Sequence, residues 1–197
     1  MKIKKGIFLS GIIKLITAFF LLISFSKALV ADDLILTLGG GAQPDSNQEN
    51  KTVGLDVNFF EYKRSERQTL NIGVSYTLLK TNHDISRKLW AVSIYPQLTL
   101  FPSKGSWLSN HFLETTTPYF FVRALGPTYL NSRALGDRKQ SRNFTFQAQV
   151  GLGLLFKTKS SKENFLFLSW KHFSNANLFS ENDGFDFPVV LGFGLRF

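Results

Sequence analysis

The sequence predicts an all-β fold, an eight-stranded antiparallel up-and-down transmembrane β-barrel, on three observations. Beyond the N-terminal region the hydrophobic pattern has period two, which sets one face of an extended strand against the other. The alternating segments run about ten residues, the length a tilted strand needs to cross hydrocarbon. Aromatic residues gather at segment ends, as in interfacial girdles: Phe59, Phe60 and Tyr62; Trp90 and Phe101; Tyr119, Phe120 and Phe121. A soluble sandwich would also alternate, with its greasy face turned inward, but segment length and aromatic ends favour the membrane barrel.

The N-terminal region reads as a secretory signal. Lys2, Lys4 and Lys5 form a basic start, and Leu15 to Phe25 form an apolar core of eleven residues. Ser26-Lys27-Ala28 and Leu29-Val30-Ala31 each offer a small residue before a cut. Lys14 divides the apolar run well short of the roughly 20 residues a membrane helix needs, which favours cleavage over a retained span. Residues 1–31 are thus expected to leave, and residues 32–197 to form one barrel domain. Cleavage would remove five Lys and no acid, leaving 18 basic residues against 14 acidic ones, so the net charge falls from +9 to +4. The full-chain pI of about 9.8 therefore overstates the basicity of the working protein, and no nucleic-acid partner is expected. The absence of cysteine argues against a disulfide scaffold, a thiol nucleophile and a sulfur-based zinc site.

Eight strands are expected near 34–41, 53–62, 68–79, 89–101, 117–126, 142–157, 163–174 and 187–197. In the first, Leu34, Leu36 and Leu38 alternate with Ile35, Thr37 and Gly39. In the second, Val53, Leu55, Val57 and Phe59 alternate with Gly54, Asp56, Asn58 and Phe60. The third sets Leu70, Ile72, Val74, Tyr76 and Leu78 against Asn71, Gly73, Ser75 and Thr77. The fifth leaves its parity open, because Arg123 shares a face with Tyr119, Phe121 and Leu125. The sixth is the clearest, with Phe144, Phe146, Ala148, Val150, Leu152, Leu154 and Phe156 opposed by polar residues and glycines such as Gly151 and Gly153, which suit a narrow lumen. The last alternates through Val189, Leu191, Phe193 and Leu195 to a terminal Phe197, an ending similar to the assembly signal of bacterial outer-membrane barrels. It implies the outer membrane as location and the barrel assembly machinery as partner.

An even strand count lets the sheet close without an edge, and eight strands leave an interior filled by side chains rather than a pore. With both termini periplasmic, the seventh strand runs outward and the outer loops are 42–52, 80–88, 127–141 and 175–186. The third loop is basic. Arg133, Arg138 and Lys139, with Arg142 at the next strand, could meet lipopolysaccharide phosphates, although charged loops are commonly just solvated. The 102–116 connection is long for a periplasmic turn.

The chemistry centres on the seventh strand, where Leu166, Leu168, Trp170, His172 and Ser174 share a face. A hydroxyl beside an imidazole on a lipid face gives up hydrocarbon contact, which calls for an interfacial position or a use. The use open to them is nucleophile and base, and such a base needs an acid to hold its tautomer. Glu181, Asp183 and Asp186 are the acids just downstream. His83 and His111 read as solvated, and neither has metal-ligand spacing to a second His. No GxSxG, HExxH or phosphate-binding glycine loop is present.

His172-Phe173-Ser174-Asn175-Ala176, followed by Asn182-Asp183-Gly184-Phe185-Asp186, resembles the signature of the lipid A 3-O-deacylase (PagL) family of eight-stranded outer-membrane barrels. The resemblance implies His172 as base, Ser174 as nucleophile, Asp186 as acid and Asn175 as an oxyanion donor, with no metal or other cofactor. Asp186 stands where the family usually has Glu, and Asn177, which the resemblance also implies for oxyanion or substrate binding, stands where it has Gly. The implied function is hydrolysis of an ester-linked acyl chain of lipid A in the outer leaflet. A non-catalytic structural or adhesive barrel and a lipid acyltransferase are the alternatives, and a homodimer is compatible with the sequence. One parity problem follows. Asp186 and Phe197 are eleven positions apart, so an uninterrupted strand would put them on opposite faces. An irregularity at Pro188, which cannot donate to the ladder, is expected to return Asp186 to the outside; otherwise Asp183 or Glu181 must serve.

Overall fold

The computed structural model describes residues 32–103, 116–157 and 163–197. The signal segment, most of the 102–116 connection and His111 lie outside the described residues. Ten strands form among the described residues: β1 Asp33–Ala42, β2 Glu49–Ser65, β3 Gln68–Thr81, β4 Lys88–Leu100, β5 Thr116–Leu130, β6 Ala134–Leu135, β7 Arg138–Lys139, β8 Phe144–Lys157, β9 Glu163–Ser174 and β10 Phe185–Arg196. Eight close into a barrel in the order β1-β10-β9-β8-β5-β4-β3-β2, each antiparallel to its neighbours. The expected fold is therefore the observed one. The short β6 and β7 pair with each other inside the connection from β5 to β8.

Several strands run beyond the hydrophobic alternation that marks them. β2 begins at Glu49 and ends at Ser65, although the greasy row covers only its middle. Ladder bonds continue after the apolar pattern stops because strand pairing needs no hydrocarbon, only a partner for each N–H and C=O.

Outside and inside separate by parity. Leu152 is 66% exposed, Leu168 53% and Ile94 52%, a continuous apolar wall that only lipid or another apolar surface would cover. At the end of β3 to β5 that carries the outer loops, Tyr76 stacks on Trp90 with centroids 6.2 Å apart, and Trp90 meets Tyr129 at 5.7 Å. Inside, Arg123 Nη1 lies 2.5 Å from Asp56 Oδ2, and its Nε donates to Gln97 Oε1 at 2.7 Å. Ser75 Oγ donates to Asp56 Oδ1, and Lys171 Nζ donates to Thr77 Oγ1 at 3.1 Å. This polar cross-bracing fills the lumen, as eight strands require.

β5 resolves the open parity against the girdle reading of Tyr119 and Phe121. Both are buried and face the lumen with Arg123, in a cluster with Ile35, Phe165 and Phe167. Glycines opposite make the room: a Cβ at Gly153 would lie 2.2 Å from the Tyr119 ring, and one at Gly192 would lie 2.0 Å from Phe167. The register then slips by one between Arg123 and Gly126, with Leu125 at φ 53°, so Ala124 and Leu125 both point outward. Such a bulge exchanges the faces of everything beyond it.

Candidate active site

β9 is extended to its last residue, and its buried positions are Phe165, Phe167, Ser169, Lys171 and Phe173. Leu166, Leu168, Trp170, His172 and Ser174 consequently line the outer wall, as expected. His172 and Ser174 are partly exposed at the strand end that meets the 175–184 loop, and two strand steps separate their Cα atoms by roughly 6.6 Å. On β8, Ala148 pairs with His172 and Phe146 with Ser174. On the other side, β10 pairs Asp186 directly with His172.

That last pairing depends on a bulge. Phe187 pairs with Lys171 but Val190 pairs with Ser169, so β10 holds one residue more than β9 across this step. The extra residue falls at Pro188 and Val189, which are both exposed, while Phe187 and Val190 are both buried. Pro188 has no N–H to lose there. The irregularity expected from the eleven-residue spacing is present, and Asp186 shares the outer face of His172.

The pair joins an imidazole to a carboxylate. Nδ1 of His172 is 2.8 Å from Asp186 Oδ1. Trp170 Nε1 donates to the same oxygen at 3.1 Å, and the Trp170 ring stacks on the imidazole at 5.3 Å and 23°. Gln43 Nε2 donates to Asp186 Oδ2 at 3.0 Å. With Nδ1 engaged by the carboxylate, Nε2 is the ring nitrogen left free of it. The other edge of the ring rests on backbone: a Cβ at Gly184 would lie 2.3 Å from His172 Cε1, so glycine is needed for the loop to pass. Ser174 Oγ makes no hydrogen bond among the described residues. Among the described residues, neither Asp183 nor Glu181 is hydrogen-bonded to His172. The Asp183 carboxylate accepts the Lys139 N–H at 3.1 Å, and Glu181 is exposed.

Beyond Ser174 the chain turns sharply. Leu178 N–H donates to Asn175 O at 3.1 Å, and the two central residues are left-handed, Ala176 at φ 54° and Asn177 at φ 60°. Two positive φ values in succession define a type I′ turn. Asn is among the non-glycine residues that best tolerate this region, which explains physically how Asn177 stands where Gly is usual. Asn182 staples the turn, its Oδ1 accepting from Asn175 N–H and its Nδ2 donating to Asn177 Oδ1, both at 2.7 Å. The Asn175 side chain, expected to face a reacting carbonyl, is instead fully buried, with Nδ2 donating to Glu181 O at 2.7 Å. The Ala176 and Asn177 N–H groups donate to no acceptor among the described residues.

Of the four loop cations, Arg133, Lys139 and Arg142 are exposed. Arg142 lies over the Phe179 ring at 4.3 Å. Arg138 departs from expectation, since its guanidinium donates to Pro44 O and braces one loop against another. Sequence reasoning missed Gln43 and the acid-binding role of Trp170. Gln43 is 143 positions from Asp186, and no local pattern signals that pairing.

A family model described as Lipid A 3-O-deacylase (PagL) matches residues 71–195, more than half of the chain. The crystal structure of the outer membrane enzyme PagL is similar to this barrel, with a TM-score of 0.59 at 16% identity over 84% of this chain and 99% of that one. Neisserial surface protein A (NspA) is similar with a TM-score of 0.50 at 12% identity, over 84% of this chain and 95% of its own. No curated protein sequence matches. At these identities the two structural likenesses speak for the fold alone.

Proposed function

The chain belongs to the lipid A 3-O-deacylase (PagL) family of outer-membrane β-barrels, and from that premise we propose that it is a serine hydrolase that removes an ester-linked acyl chain from lipid A in the outer leaflet. The observation that carries this reading is the 2.8 Å contact between His172 Nδ1 and Asp186 Oδ1 on the lipid-facing wall, with Ser174 two residues along β9 on the same face. A nucleophile on the outside of the barrel meets an ester where it lies, at the boundary of hydrocarbon and headgroups.

In the proposed reaction His172 Nε2 takes the Ser174 hydroxyl proton as Oγ attacks the ester carbonyl, and Asp186 stabilises the imidazolium. The tetrahedral oxyanion is met by the free N–H groups of the turn at Ala176 and Asn177, while the buried Asn175 side chain holds that turn in place. One such donor is worth about 3 kcal/mol of barrier. Collapse expels the sugar oxygen, which takes the proton from His172 and leaves an acyl-Ser174. Water, deprotonated by His172, then attacks; the fatty acid departs and Ser174 recovers its proton. No step needs a metal ion. Arg133, Lys139 and Arg142 are proposed to bind lipid A phosphates at the rim, with Arg138 serving as a brace.

Mass spectrometry of lipid A from cells expressing the protein tests the reading. Loss of one acyl chain, abolished by Ser174→Ala, is the expected result. An unchanged profile would favour a non-catalytic barrel, and acyl gain or relocation would favour transfer.

A further inference from the structure

The acid of the proposed triad is gripped from the side that faces away from His172. Gln43, in the connection that follows β1, is 3% exposed. Its Nε2 donates to Asp186 Oδ2 at 3.0 Å, and its Oε1 accepts the Asp186 N–H at 2.9 Å. One amide therefore holds both the side chain and the backbone of the same residue. Asn50 on β2 completes the clamp, since its Nδ2 donates to Gln43 Oε1 at 2.7 Å and to Asp186 O at 3.1 Å. Asn50 Oδ1 in turn accepts from Gln48 Nε2 at 2.8 Å, and Gln48 reaches the β6–β7 hairpin through Leu135 O and the Asp137 N–H, both at 3.1 Å. A buried chain of amides thus runs from an outer loop to the carboxylate.

We propose that Gln43 is the positioning residue for the catalytic acid. A carboxylate has two equivalent oxygens and a soft terminal torsion, so an aspartate near an imidazole can present either oxygen or turn its plane away. The Gln43 donor occupies Oδ2 and the paired acceptor fixes the backbone, which leaves Oδ1 as the oxygen offered to His172. Buried amides that are fully paired hold one geometry and are costly to leave half-satisfied. Trp170 also donates to Asp186, but its ring stacks on His172, so changing it would disturb the base directly. Gln43 makes no hydrogen bond to His172 or Ser174 among the described residues, so Asp186 is the member of the proposed triad that it holds.

This inference rests on the hydrolase reading, and the experiment separates the two. Purified full-length wild type, Gln43→Ala, Gln43→Glu, Asp186→Ala and Gln43→Ala/Asp186→Ala are assayed on lipid A in mixed micelles, with thermal unfolding measured on the same samples. The expected result is a fall in kcat of about 10²-fold for Gln43→Ala with KM unchanged. No further fall is expected when Gln43→Ala is added to Asp186→Ala. Gln43→Glu keeps the size while setting a carboxylate against a carboxylate, so its kcat should fall at least as far, and it serves if the alanine variant fails to fold. Wild-type kcat in both Gln43 variants would overturn the proposal while leaving the hydrolase intact. An equal Gln43→Ala loss with and without Asp186 would do the same. An inert wild type would overturn both.

Discussion

Asp186 is one methylene shorter than the Glu usual in the family pattern, and its Cα pairs directly with that of His172. The short acid suits this register: a facing residue on the adjacent strand needs only a short arm to bring an oxygen 2.8 Å from Nδ1. Asp186→Glu is therefore expected to lower turnover here, because the longer arm must displace the imidazole or abandon Gln43. Asp186→Ala should cost about 10⁴-fold in kcat, the scale seen when a serine protease loses its orienting acid. Steady-state assays of both variants decide the matter, and wild-type turnover in Asp186→Ala would mean that another group orients His172. The outward placement of His172 and Ser174 and the pairing of Asp186 with His172 were legible in the sequence because strand parity and a compact motif carry them. Gln43 was not, because a barrel closes its first strand against its last and brings together residues that share no local spacing.

At the scale of strands, the one-residue bulge in β10 is what sets Asp186 beside His172. It puts Asp186 on the outer face while Leu191 and Phe193 stay on the lipid wall and Gly192 and Gly194 face the lumen rings of Phe167 and Phe165. Deleting Val189 removes the extra residue, so a barrel that keeps its C-terminal register must turn Asp186 inward. We expect an assembled barrel with turnover reduced as far as in Asp186→Ala, read by heat-dependent gel mobility beside the acyl-release assay. The need for this bulge followed from counting eleven positions between two residues of fixed face. The bulge in β5 was not legible in the same way. Tyr119 and Phe121 look like lipid-facing aromatics until the glycines across the lumen are known, and those lie on other strands.

The whole barrel stands on its interior. Arg123 and Asp56 are fully buried between the strands, tied by Gln97, Gln149 and Ser75, with the Tyr95 ring 4.0 Å from the guanidinium. Arg123→Ala leaves an unpaired buried carboxylate, and removing one partner of such a pair costs about 3–5 kcal/mol. Urea unfolding in lipid vesicles should show that loss, and Arg123→Gln with Asp56→Asn should recover part of it by leaving no stranded charge. The closed sheet, its strand count and its packed lumen were readable from alternation taken with segment length and the aromatic segment ends, whereas which charges meet inside was not, because pairing across a lumen depends on registers set by bulges. For the proposed reaction, the placement of Ser174 on the outer wall has a kinetic corollary. Enzyme and substrate diffuse within one sheet of lipid and collide edge-on, so their encounter rate follows copies per unit area and not copies per litre. Spreading the same molecules over more inert amphiphile would slow them, while adding buffer would not.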